Sequence, residues 1–258
     1  SQAAGELVRL VADHVVQGRV VFPGAGYLEM ARAAYCAVAS RHGGALAAAA
    51  FVRVFFLQPL VLGGLPDARV ECTCDLDAGR VEVSSSESSE ERDVFEPTAH
   101  FAATLPHGDV VPSERQLQPL AVRGHVESAG DVSALYSLYF KSGLAYGPTH
   151  RTLRATWSGQ RFGEAMGRLR SCGTPRGLSM HPAGLDGALQ LPPVLARRAG
   201  AETRLPFAVG EAWLCSGRGG LWPVRCCLAT HAAAAQAALH LARATILECC
   251  LVCARVRS

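Results

Sequence analysis

The chain has 258 residues, of which 49% are hydrophobic and 18% are charged, and its formal net charge is +3 at pH 7. This composition excludes a disordered chain and supplies enough apolar residues for one large core or two ordinary ones. The small net charge excludes the broad basic field that binding to nucleic acid requires.

The N-terminal region contains a β-type segment followed by a helical one. Residues 11–22, which include His14, are rich in β-branched and aromatic side chains and end before a proline, so they predict a strand. Residues 26–39 carry apolar side chains on almost every face, with Glu29 and Arg32 as the main exceptions. They therefore predict a helix that is buried on most of its surface.

The start of this helix lacks a side-chain cap. It opens with Pro23, Gly24, Ala25 and Gly26, none of which offers a side-chain oxygen to the first backbone N–H groups. Free N–H groups at a helix start attract an anion or a carbonyl oxygen, and the glycines would let a ligand approach the backbone. We therefore predict an oxyanion site beside a histidine base.

A run of strands is predicted after this helix. The strands lie at residues 51–62, 68–76, 80–85 and 94–105. The acidic, serine-rich segment 84–93 predicts an exposed loop, and residues 106–130 predict a linker that runs over the surface. A buried helix followed by several strands favours a sheet wrapped around one helix.

The pattern restarts in the second half of the chain. Residues 132–142 predict a short helix, residues 151–158 and 163–170 predict strands, and residues 185–196 predict a second buried helix. Pro192-Pro193 removes two N–H donors, so this second helix should kink or end soon after Gln190.

The ten cysteines are interpreted as free thiols rather than disulfides or metal ligands. Cys72 and Cys74 alternate on a predicted strand, where reduced cysteine packs as a small hydrophobe. Cys250 and Cys253 form a Cys-x-x-Cys without the second pair that a zinc ribbon needs. We expect no metal site.

Targeting segments and the signatures of several enzyme classes are absent from the sequence. The N-terminus does not have the order of a signal peptide, and the longest uncharged run, residues 226–242, is too polar for a membrane span. The chain contains no Gly-x-Ser-x-Gly, His-Glu-x-x-His or phosphate-loop motif. We expect a soluble cytoplasmic protein.

Four short motifs follow one another along the chain. The first places His14, Gly18 and Pro23 at the spacing His-x-x-x-Gly-x-x-x-x-Pro, and the second runs from Tyr146 to His150 as Tyr-Gly-Pro-Thr-His. The third, residues 181–190, reads His-Pro-Ala-Gly-Leu-Asp-Gly-Ala-Leu-Gln, and the fourth is Leu-Pro-Phe at residues 205–207.

In this order the motifs resemble those of the dehydratase domains of modular polyketide synthases and of related fatty acid synthases. The second matches the family's Tyr-Gly-Pro-x-Phe except that His150 replaces the phenylalanine, and the third matches His-Pro-Ala-Leu-Leu-Asp-x-x-x-Gln. The resemblance implies an α+β double hot-dog fold, with residues 1–105 and 131–258 as the two halves and the active site between them. It also implies strands within residues 232–253, although their alanine-rich composition favours a helix.

Removal of water from a β-hydroxyacyl thioester requires a base for the α-proton, an acid for the hydroxyl group and a donor for the thioester oxygen. His14, Asp186 and the N–H region of Gly24 can supply these three groups. The resemblance implies that His14 and Asp186 form the catalytic dyad. To act as the acid, Asp186 would have to be held protonated, as an apolar tunnel would favour.

The candidate substrate-binding residues come from the same motifs. Gln190 lies four residues after Asp186, so its amide can hold the carboxyl group in place. The resemblance implies this supporting role for Gln190 and a lining role for Tyr146. The full set is Gly18, Pro23, Gly24, Tyr146, Gly147, Pro148 and Gln190.

Several residues keep two interpretations. Tyr146 either lines the site or only anchors a turn, and His150 is either a polar residue at an apolar position or part of the tunnel wall. Asp186 could instead be a carboxylate that the helix dipole stabilises. His181 is expected to mark the start of the second buried helix through a structural hydrogen bond. Gly184 and Gly187 should each weaken that helix by about 1 kcal/mol.

Two other functions remain open, a double hot-dog cyclase that uses the same dyad and a non-catalytic structural domain of a synthase. The resemblance implies no cofactor, because an acyl carrier protein would deliver the substrate on its phosphopantetheine arm. It also implies other synthase domains as partners and a homodimer. Arg151, Arg154 and Arg161 are candidate contacts for the acidic carrier protein. Because only thirteen residues precede His14, we expect part of the family's first strand to be missing from this chain.

Overall fold

The computed structural model of the protein describes residues 5–41, 48–62, 69–86, 97–106, 128–158, 164–173, 178, 180–191, 204–215, 224–227, 240–241, 245–248 and 252–255. The described helices are α1 (Glu6–Val11), α2 (Gly24–Arg41), α3 (Val132–Lys141) and α4 (Pro182–Leu189). The strands of the first half are β1 (His14–Val16), β2 (Arg19–Val20), β3 (Ala48–Phe56), β4 (Arg69–Asp75), β5 (Arg80–Ser86) and β6 (Thr98–Thr104). The strands of the second half are β7 (Ser128–Gly130), β8 (Leu144–Tyr146), β9 (Leu153–Ser158), β10 (Glu164–Leu169), β11 (Arg204–Cys215), β12 (Val224–Cys227), β13 (His240–Leu241), β14 (Thr245–Glu248) and β15 (Val252–Arg255).

The largest sheet joins the two halves of the chain. Its strand order is β14-β11-β3-β6-β5-β4, and β15 also pairs with β11. The central pairing is antiparallel and sets Val209 opposite Val54 and Ala212 opposite Phe51. Helix α2 packs on β3, β4 and β5 of this sheet, so the predicted arrangement of a sheet wrapped around a buried helix is confirmed for the first half.

The second half contributes a sheet of order β13-β12-β10-β9-β7, against which α3 and α4 pack. Helix α4 also contacts α2, so the two buried helices meet between the halves. A small third sheet of order β2-β1-β8 sets His14 opposite Tyr146 and Val16 opposite Leu144. Two of the four motifs are therefore neighbours through backbone pairing.

The single strand expected over residues 11–22 is wrong. Helix α1 ends at Val11, and the segment that follows is a hairpin in which β1 and β2 pair in antiparallel fashion. Gln17 and Gly18 connect the strands with φ values of 50° and 75°. Positive φ at both central residues is the backbone of the tight turn that matches the twist of a hairpin. Gly18 is thus a turn residue, because glycine reaches such a φ without steric cost.

The other predicted elements are present with shifted ends. Within the described residues, all four first-half strands form, as do the helix and the strands expected from residue 132 to residue 170, and strands rather than a helix form within residues 232–253. The linker expected over residues 106–130 is wrong at its end, because Ser128–Gly130 pairs with β9. Most of the predicted acidic loop, residues 107–127 of the linker and Pro192-Pro193 lie outside the described residues.

The second buried helix starts earlier than its apolar pattern indicates. Nδ1 of His181 accepts a hydrogen bond from the Ala183 N–H at 3.1 Å, and Pro182 occupies the first helical position. A capping acceptor followed by proline is a strong start signal, since proline lacks only a donor that the first turn leaves unpaired. The structural hydrogen bond expected of His181 is confirmed, and the helix ends at Leu189, as the expectation of an early end requires.

The two charged residues of α2 are buried and paired. Glu29 is 1% exposed and Arg32 is 5% exposed, and the guanidinium donates to both carboxylate oxygens at 2.7 and 2.8 Å. Glu29 also accepts from the Met180 N–H at 3.4 Å, which connects α2 to the segment before α4. A bidentate pair compensates part of the cost of taking both charges out of water. The exceptions to the apolar pattern therefore do not mark an exposed face.

Two sequence-based expectations concern cysteines and membranes. Among the cysteines whose side chains are described, Cys36, Cys72, Cys74 and Cys172 are free thiols, and burial raises the pKa of Cys72 to about 12. In the described ranges no helix has both the length and the apolar character needed to cross a membrane.

Candidate active site

His14 lies on the central strand of the small sheet and has a defined tautomer. Its Nδ1 lies 2.7 Å from the Val21 carbonyl oxygen, which is only an acceptor. The hydrogen of a neutral ring must therefore lie on Nδ1, which leaves the lone pair of Nε2 available. The residue is 5% exposed, so the hairpin presents a buried base.

Asp186 lies in the middle of α4 and is 4% exposed. The helix approaches the second sheet closely here, because a Cβ atom at Gly187 would lie 2.0 Å from Oγ1 of Thr152. That hydroxyl donates to the Ala183 carbonyl at 3.3 Å. The glycine that lowers helix propensity thus allows the packing that sets the position of Asp186.

The two halves of the chain bring these residues together. Nε2 of His14 lies 3.9 Å from Oδ1 of Asp186. This distance exceeds that of a direct hydrogen bond. A lone pair and a carboxyl oxygen therefore face one buried region without being bonded to each other.

Gln190 fixes the other oxygen of the carboxyl group. Its Nε2 donates to Oδ2 of Asp186 at 2.8 Å and to the His150 carbonyl at 3.0 Å. Its Oε1 accepts from the Tyr136 hydroxyl at 2.9 Å, and its backbone carbonyl accepts from the Tyr139 hydroxyl. Because Oδ2 is an acceptor in this network, a proton on Asp186 would reside on Oδ1, the oxygen nearest His14.

Tyr146 packs directly on the histidine. Its ring lies 5.6 Å from the His14 ring in an edge arrangement, and Tyr136 and Tyr139 pack on its other sides. Burial, followed by the charge of Asp186, raises the pKa of Tyr146 well above its usual value. Its hydroxyl group therefore stays protonated beside the dyad.

Gly147 and Pro148 contact the chain itself. The Gly147 N–H donates to the Asp13 carbonyl at 2.8 Å, and a Cβ at Gly147 would lie 2.3 Å from the Asp13 carboxylate. The Pro148 carbonyl accepts from Arg170 at 3.2 Å. These contacts give both residues a role in shaping the turn between Tyr146 and His150.

The start of α2 differs in part from the expected free N–H groups. The Gly26 N–H donates to the Pro23 carbonyl at 2.8 Å, so this donor is occupied by a local turn. The Cβ positions of Gly24 and Gly26 are filled by aromatic rings, 2.9 Å from Phe56 and 2.6 Å from Phe22. The two glycines therefore allow aromatic rings to pack against this side of the backbone. The role of the Gly24 N–H as the oxyanion donor stays a prediction.

The sequence left two interpretations of His150 open, and the structure shows where its ring lies. The residue is fully buried, and its ring lies 5.6 Å from that of His14. Thr149 connects it to the chain before β1, because the Thr149 hydroxyl donates to Oδ2 of Asp13 at 2.5 Å and lies 3.3 Å from Nδ1 of His150. The hydroxyl group of Thr149 lowers the pKa of Asp13 and burial lowers that of His150 to about 4. The contact between Asp13 and Thr149 has no signal in the sequence, because the two residues are 136 positions apart.

No group of His, Cys, Asp and Glu side chains in the described part of the chain has the geometry of a metal site. The dyad and its support consist only of imidazole, carboxyl, amide and phenol groups. Groups of these kinds can accept, hold and donate protons.

Sequence models of two families match this chain. Residues 2–87 match the model described as a polyketide synthase dehydratase domain. Residues 115–246 match the model described as a polyketide synthase dehydratase N-terminal domain. Together the two matches include all four motifs and leave out residue 1, residues 88–114 and residues 247–258.

The similar curated proteins are multidomain synthases. The chain is 36% identical over 188 residues, 70% of its length, to the polyketide synthase ThaG of Burkholderia thailandensis. It is 30% identical over 214 residues, 78% of its length, to the polyketide synthase PksN of Bacillus subtilis. It spans only 3% and 4% of these two proteins, respectively.

Solved structures establish the fold. The dehydratase domain from the CurF module of the curacin polyketide synthase superposes with a TM-score of 0.68 at 19% identity, over 96% of this chain and 89% of that one. A trans-AT polyketide synthase dehydratase domain from Brevibacillus brevis gives 0.68 at 22% identity, over 96% and 90%. The predicted α+β double hot-dog fold is confirmed by this likeness.

Proposed function

Because the chain belongs to the polyketide synthase dehydratase family, we propose that it removes water from a β-hydroxyacyl thioester carried on an acyl carrier protein. The product would be the α,β-unsaturated acyl thioester. The observation that carries this proposal is the placement of Nε2 of His14 3.9 Å from Oδ1 of Asp186 in a buried region between the halves.

In the proposed reaction His14 is the base and Asp186 is the acid. Nε2 of His14 takes the α-proton, and Oδ1 of Asp186 gives a proton to the β-hydroxyl group. The C–H and C–O bonds break, a C=C bond forms and one water molecule leaves, so no redox partner is needed. The hydrogen bonds of both side chains support these roles. Nδ1 of His14 and Oδ2 of Asp186 already take part in hydrogen bonds, so Nε2 and Oδ1 are the atoms assigned to the reaction.

The remaining site residues would orient these two groups and the thioester. Gln190 is a positioning residue, because it holds the acid and is itself held by two tyrosine hydroxyls. Tyr146 covers one side of the base. Gly24 would supply its N–H to the thioester oxygen as negative charge develops there, and no cofactor takes part.

Mass spectrometry of a carrier protein loaded with a 3-hydroxyacyl thioester tests this proposal. Incubation with the protein should lower the mass of the acyl group by that of one water molecule. An unaltered substrate would indicate a structural domain. Ring closure at unchanged mass needs a C=C bond and a second nucleophile, so an α,β-unsaturated thioester with a distal hydroxyl group tests the cyclase alternative through a change in retention time. The loaded carrier without the protein is the control for spontaneous loss of water.

We place the carrier protein at a basic cavity beside α3. Exposed Lys141 and Arg154 contribute positive charge to this cavity. The side chain of Arg151 is held by a hydrogen bond, because its Nε donates to the Tyr146 carbonyl at 2.7 Å. Arg161 lies outside the described residues. The lining residues are Val132, Ser133, Tyr136, Ser137, Phe140, Lys141, Arg151, Leu153 and Arg154.

Reversal of the charges of exposed Lys141 and Arg154 should slow only reactions that need the carrier. The double variant Lys141→Glu, Arg154→Glu is expected to lower kcat/KM for a carrier-bound substrate by roughly tenfold or more at low salt. The same acyl group on N-acetylcysteamine should react at the parent rate. Arg69→Glu, an exposed charge on β4 at the edge of the other sheet, is the matched control. Equal losses with both substrates would contradict docking at this cavity.

A further inference from the structure

The imidazole of His150 contains a buried polar atom that nothing in the described part of the chain satisfies. The side chain is fully buried, and its Nε2 has no hydrogen-bond partner there. Buried polar atoms are paired in most native structures, because an unpaired one loses its bonds to water without replacement. Such an atom beside a catalytic dyad indicates a partner that arrives with the substrate.

The hydrogen bonds around His150 determine which kind of partner is missing. Oδ2 of the Asp13 carboxylate can only accept, so the hydroxyl hydrogen of Thr149 points to it. The Thr149 oxygen is then an acceptor toward Nδ1 of His150, 3.3 Å away. A neutral imidazole has one hydrogen, which this arrangement places on Nδ1, and burial keeps the ring neutral by lowering its pKa to about 4. Nε2 is therefore an acceptor that lacks a donor.

The surroundings of the ring place His150 beside the reacting groups. The His150 ring lies 5.6 Å from the His14 ring and is tilted by 54° to it. The His150 carbonyl accepts from the same Gln190 amide that holds Asp186. His150 thus packs against both the base and the support of the acid.

We propose that Nε2 of His150 accepts a hydrogen bond from the β-hydroxyl group of the bound substrate, the group that leaves as water. This inference rests on the proposed dehydration. It adds a third substrate-contacting side chain to the dyad and selects for a substrate that carries a hydroxyl donor at this position.

The chemistry of the leaving group requires such an acceptor. The hydroxyl oxygen uses a lone pair to receive the proton of Asp186, and its own hydrogen would otherwise be an unpaired donor in a dry site. The same hydrogen bond is present in the bound substrate and in the transition state, so its loss should weaken both equally. As water forms, one of its two hydrogens stays hydrogen-bonded to Nε2 of His150. No covalent bond of His150 is made or broken.

Three substitutions at position 150 separate this role from packing. His150→Phe removes both nitrogens, His150→Asn keeps an amide near Nδ1 but has no acceptor at the reach of Nε2, and His150→Gln places an amide oxygen there. With the 3-hydroxybutyryl thioester of N-acetylcysteamine, the Phe and Asn variants should raise KM for dehydration roughly tenfold at an unchanged kcat. The Gln variant should stay within a few-fold of the parent.

The reverse reaction provides the internal control. The crotonyl thioester lacks a hydroxyl group, so its KM for hydration should be the same in all four proteins. Because the equilibrium constant is fixed, the Phe and Asn variants should lose the same tenfold factor in kcat for hydration. Equal rises of KM for both thioesters would show a packing defect and overturn the proposal, as would a parental KM in the Phe variant.

A second measurement does not depend on turnover. Nitrogen-15 NMR of the imidazoles should show the hydrogen of His150 on Nδ1 in the parent protein, and Thr149→Val should abolish that preference. In the His14→Ala protein, the 3-hydroxybutyryl thioester should shift the Nε2 signal, whereas the butyryl thioester should not. A hydrogen on Nε2, or equal shifts with both ligands, overturns the proposal even if the position 150 variants fold poorly. No loss of water by the parent protein would contradict the proposed function itself.

Discussion

Replacement of His14 by alanine is expected to abolish dehydration while the protein stays folded. The variant removes the imidazole nitrogen that lies 3.9 Å from Oδ1 of Asp186. A general base typically contributes about 10² to 10⁴ in rate, so turnover should fall by at least this factor. The hydrogen bond lost is that to the Val21 carbonyl, at the hairpin rather than in the large sheets. Single-turnover dehydration of a carrier-bound 3-hydroxyacyl thioester measures the effect.

His100→Ala is the matched control for this experiment. His100 is also buried, and its ring contacts the Ser85 hydroxyl at 2.7 Å and the Gln58 carbonyl at 3.0 Å, within the first half. Loss of this ring should lower the melting temperature as much as loss of His14 or more, yet leave dehydration in place. Near-parental turnover by a folded His14→Ala protein would contradict the role of His14 as the base.

Asp186→Asn is expected to stop dehydration and to leave substrate binding intact. The amide has nearly the size of the carboxyl group, and its oxygen can still accept from Gln190 in place of Oδ2. It has no proton to deliver to a departing hydroxyl group. If Asp186 only stabilised the helix or oriented a neighbour, the amide would preserve most of the activity.

Gln190→Ala is the graded comparison for the acid. It frees the carboxyl group without removing it, and loss of a supporting hydrogen bond typically costs about 10- to 100-fold, by analogy with metal sites. It also leaves the Tyr136 hydroxyl and the His150 carbonyl without their amide partner, so a lower melting temperature is expected. The measurement is the single-turnover rate of dehydration by the parent, the Asp186→Asn protein and the Gln190→Ala protein. An Asp186→Asn protein as fast as its parent would exclude Asp186 as the acid.

Sequence alone determined the elements with strong local patterns. The apolar run of α2, the alternating strands from β4 to β6 and the proline and capping signals around α4 depend on neighbours a few residues apart, so a single sequence contains them. The contact between Gln190 and Asp186 belongs to the same class, because a spacing of four residues brings two side chains to one face of a helix.

The motif order also indicated the family and the double hot-dog fold. It further indicated that His14 of the first half and Asp186 of the second half share one site. It did not indicate how the halves join. Pairing of β11 with β3 and of β1 with β8 is a choice among many possible strand partners. That choice is decided by which faces must be buried together.

Tertiary structure alone decided the polar network of the site. Nothing local distinguishes a surface histidine from His150, whose tautomer is set by Asp13 through Thr149, or an exposed acid from Glu29, which is buried against Arg32. These properties arise from the removal of water around particular atoms, after which each buried donor and acceptor must find a partner in the fold. Burial depends on residues far apart in the chain, even for Glu29 and Arg32, which pair across three positions of one helix. The sequence therefore determines which groups are available, and the packing of the two halves decides what each one does.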